Sequence, residues 1–265
     1  MKEKIRSLAK KAIRGATTPR IREIFARGAF ASMTDAERDD LRTKWNIVSM
    51  EWSLRQLHRL GFRPRGIVDV GAYEGEWARM AHAAFPTAPI LMIEAQQRMS
   101  PVLAAVTSDL GPLLSHHTGL LGATSGESHE FFEMETGSSV LAERSSVARV
   151  GSMMTTETLD EVVNRKLSSP ADFVKLDVQG YELEVLKGGR HTLSVAEAIV
   201  MEVSLLPIND GAPLLADVTE FMAEHGFVGY DICGMWRRPL DLALWQIDVL
   251  FLKADSALRS RVTYD

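Results

Sequence analysis

Three carboxylates stand where apolar runs give way to turns. Asp177 falls near the end of residues 173–178, Glu182 follows Gly180 by two residues, and Glu202 lies near the end of residues 198–203. Acids at the ends of neighbouring strands meet at the edge of an open α/β sheet, where ligands bind. Within reach of a ligand's O–H, such a carboxylate can act as a general base. An oxygen-rich pair at two strand ends could also take Mg2+, but no third ligand is evident and no metal is assigned. The opposing reading is structural: Lys175, or an arginine, neutralises these acids as ion pairs. His116, His117, His129 and His191 are weaker candidates, and adjacent His116 and His117 on one strand must face opposite ways.

The second group is residues 66–75, GIVDVGAYEG. Ile67, Val68 and Val70 read as a strand buried on both faces, and residues 76–85 have helical composition. Strand, glycine turn and helix together make a nucleotide-binding opening. Glycines let the backbone pass close to a ligand, and the helix start offers free N–H groups. The G-x-G-x-x-G pattern that seats a pyrophosphate is not met, since only Gly71 and Gly75 flank residues 72–74. Asp69, two residues before Gly71, would repel a pyrophosphate but suits the ammonium group of an amino-acid ligand. Asp-x-Gly-x-x-x-Gly thereby resembles the first motif of class I S-adenosylmethionine methyltransferases. Glu94 ends the apolar run ILMIE, 19 residues past Gly75. That is where ribose hydroxyls are held, whether of S-adenosylmethionine or of NAD.

A sheet is needed to bring these residues together. Strands are predicted at 67–70, 90–94, 114–121, 173–178, 198–203, 227–231 and 246–253, with an extra one at 130–134. Helices are predicted at 76–85, 98–110, 158–167, 181–186 and 214–225. Only a loop separates the last two strands, so they should pair antiparallel. Ahead of the sheet, Thr34 and Glu37 read as a capping box for one helix from Asp35 to Leu60. Trp45, Val48, Trp52, Leu54 and Leu57 supply its apolar face. The expected division is a helical extension over 1–63 and an α/β domain over 64–265.

Several motifs agree in order: VDVGAYEG (68–75), IEA (93–95), TLDEVV (158–163), FVKLDVQGYELEVLKGG (173–189), IVMEV (199–203) and QIDVLF (246–251). Together they resemble the FkbM family of S-adenosylmethionine-dependent methyltransferases over roughly residues 64–253. The most specific piece is K-x-D-V-x-G-x-E-x-x-V-L-x-G at 175–188. The resemblance implies a Rossmann-like class I methyltransferase fold: a seven-stranded, mostly parallel sheet with a C-terminal antiparallel hairpin. It implies O-methylation of a hydroxyl on a sugar, glycan or secondary-metabolite acceptor. It also implies that Asp69, Gly71, Ala72, Tyr73 and Gly75 hold the methionyl end. Glu94, with Ala95 beside it, would take the ribose, while Leu121, Gly122 and Ala123 border the adenine. Asp177 would lie next to the transferred methyl, with Glu182 and Glu202 near it. Two positions depart from the family: Tyr73 stands where Asn is usual, and Gln179 where Glu is usual. These departures leave a catalytically weakened, methyltransferase-like binding protein as one alternative. An NAD-linked oxidoreductase is another, disfavoured by the missing middle glycine, by Asp69 and by the terminal hairpin.

One cysteine, Cys233, excludes an internal disulfide framework and any Cys-based zinc cluster. No apolar run approaches a membrane span, and the N-terminus lacks a secretory apolar core, so a cytoplasmic location is expected. Residues 1–28 hold nine Lys/Arg against two acids, while the whole chain carries −5. The acidic remainder disfavours nucleic-acid binding by the main body. Ile5, Leu8, Ala9, Ala12 and Ile13 recur at helical spacing within the basic arm. Such a helix could pack on the domain, on a second subunit, or on an anionic membrane surface.

Overall fold

The computed structural model describes residues 32–134, 137–144 and 149–264. The basic arm therefore lies outside the described residues. The chain divides into two compact units between Ile47 and Val48. In the first, α1 (Asp35–Trp45) begins with the expected capping box: Thr34 Oγ1 accepts from Glu37 N–H at 3.3 Å, and Glu37 accepts from Thr34 N–H at 3.1 Å. The single helix predicted from Asp35 to Leu60 is in fact two. Asn46 closes α1 in the left-handed region at φ 48°, and Ser49 caps α2 (Met50–Arg59). Both residue types favour helix ends over helix interiors. Of the face predicted for this helix, Leu54 and Leu57 are buried.

In the second unit the strands carrying the candidate residues form one sheet. β1 (Ile67–Val70) leads through α3 (Glu76–Ala84) to β2 (Ile90–Glu94), and α4 (Ser100–Leu110) leads to β3 (Leu114–Thr118). Gly119 then breaks the run that was predicted as one strand, and β4 (Leu120–Leu121) joins a different sheet. There it pairs with β6 (Val150–Glu157), which also pairs with β5 (Ser128–Glu133). β6 is not among the predicted strands: most of its residues are exposed and carry no apolar alternation. Next come α5 (Leu159–Lys166), β7 (Phe173–Leu176), α6 (Glu182–Lys187) and α7 (Arg190–Val195), the last not predicted. β8 (Ala198–Ser204), α8 (Leu215–Glu224), β9 (Phe227–Arg237) and β10 (Leu244–Lys253) complete the chain.

The seven strands run in the order β3-β2-β1-β7-β8-β10-β9. All neighbours through β8 are parallel, and β10 is antiparallel to both β8 and β9. This is the class I methyltransferase arrangement, with its terminal hairpin. Strand alternation divides the core. Val68, Val70, Val174 and Leu176 face α5 and α6, while Ile67 and Phe173 face α2 and α3. Asp69 and Lys175 fall on that second face, directly opposite each other in the β1–β7 register. An acid and a base in these positions are committed to one another before any ligand arrives.

Candidate active site

A cavity of about 300 Å3 opens at the C-terminal ends of β1, β2, β7 and β8. That volume is at the lower end of small-ligand sites. At one end the turn after β1 is folded tightly. Gly71 and Ala72 donate to the Ile93 carbonyl at 2.9 and 3.1 Å, and Gly75 donates to Ala72 at 2.7 Å. Gly71, Tyr73 and Gly75 all have positive φ. A Cβ on Gly71 would stand 1.8 Å from the Asp177 carbonyl oxygen, so glycine there lets β1 and β7 end side by side. Gly71, Ala72 and Tyr73 line the cavity, while Gly75 sits behind them as the N-cap of α3.

Glu94 is buried and lines the cavity. It accepts from Tyr73 N–H at 2.8 Å and from Gln96 N–H at 2.9 Å, tying the glycine turn to the end of β2. Burial raises its pKa, against the pull of those two N–H groups. Each oxygen keeps a lone pair for a hydroxyl donor. Ala95 and Leu121 line the cavity as well, joined by Gly119 and Leu120. Gly122 and Ala123 are not part of the wall: Gly122 donates to the Glu157 carbonyl on β6, and its own carbonyl packs against Gly188.

Asp69 is fully buried and absent from the cavity wall. Burial raises its pKa, opposed by Lys175, whose Nζ is 3.2 Å away. The Lys175 ammonium also donates to the Gly71 carbonyl at 2.9 Å and lies 3.5 Å from Asp177. Burial would lower the Lys175 pKa, but Asp69 and Asp177 outweigh it and the net shift is upward. Of the three acids that the ion-pair reading assigned to Lys175 or an arginine, only Asp177 lies beside Lys175, and more distantly than Asp69 does; among the described residues Glu182 and Glu202 form no ion pair.

Asp177, Gln179 and Glu202 line the other end of the cavity, joined by Asp248 and Trp236 from the terminal hairpin. The Gln179 amide donates to Asp177 at 3.0 Å and to Glu202 at 2.6 Å. Gln246 donates to the same Glu202 oxygen at 2.9 Å. Burial, then the charges of Asp177 and Glu182, raise the Glu202 pKa well above its ordinary value. Glu182 is elsewhere: buried beneath the turn, it accepts from Val178 N–H at 2.9 Å and Gly180 N–H at 3.1 Å. His116 and His117 do face opposite ways, toward Thr107 and Glu157 respectively. Neither lines the cavity, and His129 and His191 do not either. Among the described residues no group of three or more His, Cys, Asp or Glu could hold a metal ion. Asp248, Gln246 and Trp236 were missed as individual residues, although the first two are the polar positions of QIDVLF, spaced i, i+2 on an otherwise apolar strand.

The chain matches the methyltransferase FkbM domain over residues 69–228. It belongs to that family. The oxidoreductase alternative is thereby set aside, and S-adenosylmethionine is the cofactor of the family. No curated protein sequence matches the chain. Among solved structures it is similar to magnesium protoporphyrin IX methyltransferase from Synechocystis PCC 6803 with bound S-adenosylmethionine. There the identity is 12% and the TM-score 0.45, over 92% of this chain and 89% of that one. It is also similar to precorrin-6y C5,15-methyltransferase from Geobacter metallireducens GS-15, with 13% identity and TM-score 0.45 over 77% and 87%. M. capricolum TrmK in complex with S-adenosylhomocysteine gives 10% identity and TM-score 0.45 over 76% and 68%.

The cavity's chemistry fits the family's cofactor. It offers main-chain atoms at the glycine turn, a buried carboxylate for a diol, leucines for an aromatic ring, and negative charge for a cation. No described helix is long and apolar enough to cross a membrane.

Proposed function

We infer that this FkbM-family member methylates a hydroxyl of a small-molecule or glycan acceptor. The observation that carries the reading is the composition of the cavity's two ends. One holds the glycine turn and Glu94; the other holds Asp177, Glu202 and Asp248. S-adenosylmethionine supplies an electrophilic methyl on positively charged sulfur. Main-chain atoms of Gly71, Ala72 and Tyr73 take its methionyl end, Glu94 takes the ribose hydroxyls, and Leu121 borders the adenine. Holding two reactants in line is worth up to ~7–11 kcal/mol in well-oriented models. A neutral hydroxyl attacks poorly, and a base at its oxygen adds roughly 10²–10⁴-fold. A neutral amine needs no such help, so a carboxylate-rich acceptor end favours oxygen. Trp236, Tyr181 and Phe131, which also line the cavity, suit a polyhydroxylated ring with one apolar face.

Calorimetry with S-adenosylhomocysteine tests the cofactor half; one-to-one binding is expected. Incubation with S-adenosylmethionine and a panel of glycosides, phenols and primary amines tests the acceptor half, with the methyl located by NMR. Transfer to amines alone would refute the oxygen assignment.

A further inference from the structure

We propose that Asp248 is the carboxylate that removes the acceptor's proton, and that Gln179 and Gln246 are positioning residues that fix Asp177 and Glu202 around it. The proposal rests on the hydroxyl-acceptor reading above. An amide nitrogen carries two N–H bonds, and Gln179 gives one to Asp177 and one to Glu202. Gln179 is itself held: it stands in the left-handed region at φ 55°, and its carbonyl accepts from Ser139 Oγ at 3.0 Å and Asn209 Nδ2 at 2.7 Å. A non-glycine residue keeps that backbone only where its surroundings impose it. Asp177 and Glu202 are therefore already engaged by donors inside the protein.

Asp248 differs. Among the described residues no donor forms a hydrogen bond to its carboxylate, yet it lines the cavity. It is the register partner of Glu202 on β8 and of Gly234 on β9. A Cβ on Gly234 would stand 2.1 Å from Asp248 Oδ2 and 2.5 Å from the Trp236 ring. The missing side chain is the room that the carboxylate and the indole share. The β9–β10 register also slips between Asp248 and Val249, an irregularity of the kind that re-aims side chains beside sites.

In the reaction the acceptor O–H bond breaks and its proton goes to Asp248. The oxygen's electron pair forms the new O–CH3 bond. The pair from the broken S–CH3 bond stays on sulfur, whose positive charge it cancels. The charged and titratable groups facing Asp248 are Lys175 and Asp177 from the β7 end, Glu202 from β8 and Cys233 from β9. Burial, then Asp177, push the Asp248 pKa up to about 7, against the pull of Lys175. A carboxylate in that range can both take and release a proton near neutrality.

Sinefungin tests this without an identified acceptor. It carries an amine where the transferred methyl stands, and S-adenosylhomocysteine, which lacks that amine, reports folding and cofactor binding. Calorimetry from about pH 5.5 to 8.5 should show the preference for sinefungin rising about tenfold as Asp248 ionises. Asp248→Asn should abolish the rise and leave S-adenosylhomocysteine affinity unchanged. Gly234→Ala should weaken the rise by displacing the carboxylate. Asp177→Asn should keep it but move it to lower pH, because a negative neighbour is gone. A rise that survives Asp248→Asn, or vanishes only in Asp177→Asn, overturns the proposal. Failure of S-adenosylhomocysteine to bind the wild type would refute the cofactor reading instead. With a hydroxyl acceptor from the panel, Asp248→Asn should lower kcat at least about 10²-fold, and more than Asp177→Asn does; the reverse order also overturns it.

Discussion

The two ends of the cavity are built on different logic. Around β1 and β2 the polar groups are local and dense: Lys175 answers Asp69, Glu94 answers two backbone N–H groups, and glycines at positive φ close the turn. Around β8 and β10 the carboxylates come from separate strands: Glu202 is held by two long-range side-chain amides, while no donor among the described residues holds the Asp248 carboxylate. The first end is a rigid holder that tolerates little change. The second is a set of carboxyl groups brought together from the end of β7, from β8 and from β10, where substitutions can alter chemistry while the fold stands. Position 71 gives the largest test of the first claim. Gly71→Ala must fit a Cβ 1.8 Å from the Asp177 carbonyl at φ 75°, and should destabilise by more than about 4 kcal/mol or prevent folding. At Gly75 the nearest atoms are side chains of Val106 and Met92 at 3.1 and 3.3 Å. Gly75→Ala should cost about 1–3 kcal/mol, mainly from its positive φ. Urea midpoints decide between them; equal losses would show that the backbone approach at Gly71 is no tighter a constraint than the side-chain packing at Gly75.

That difference also explains what could be read from the chain. β1 through the turn to α3 is one continuous stretch whose polarity, spacing and glycines each have a local cause, so its elements were legible, and so were the wall residues Gly71, Ala72 and Tyr73, while Asp69 and Gly75 lie off the wall. Glu94 was legible because an apolar run leads straight into it. The partnership of Asp69 with Lys175 was not, because it depends on which strands become neighbours, and the register pairs residues 106 positions apart. Asp248 depends on more still: the hairpin, the β9–β10 register shift and a glycine 14 positions earlier. β6 was illegible for the opposite reason, since an exposed strand has no apolar pattern to show.

Lys175→Met tests the holder at a middle scale. It leaves the Asp69 carboxyl fully buried without its cation, which should cost about 3–5 kcal/mol. Adding Asp69→Leu should restore most of that loss, because an apolar pair can replace a buried ion pair. Lys175 itself lines the cavity, but Asp69 does not, so the double variant should bind S-adenosylhomocysteine as well as a stably folded Lys175→Met does. Weaker binding by the double variant than by Lys175→Met, with both stably folded, would show that Asp69 acts on the ligand after all.

The smallest effect belongs to Glu182, the acid that the sequence groups with the candidates and the structure places beneath the turn. One of its oxygens, Oε1, accepts from both Val178 and Gly180 N–H. A glutamine has such an oxygen too, so Glu182→Gln can keep both bonds. Burial pushes the Glu182 pKa up to about 7, against an ordinary value of 4.5. Between those values the folded carboxyl keeps a proton that the unfolded chain has lost. Stability must therefore fall as pH rises from about 4.5 to 7 and level off above it. Glutamine does not titrate and escapes that decline. Relative to wild type, Glu182→Gln should thus gain on the order of 1–3 kcal/mol between about pH 4.5 and 8, read from urea midpoints at the two pH values. Methyl transfer should stay within about threefold of wild type, far from the 10²-fold scale of a lost base. A large fall in kcat with the stability pattern intact would move Glu182 from the turn's support to the reaction itself.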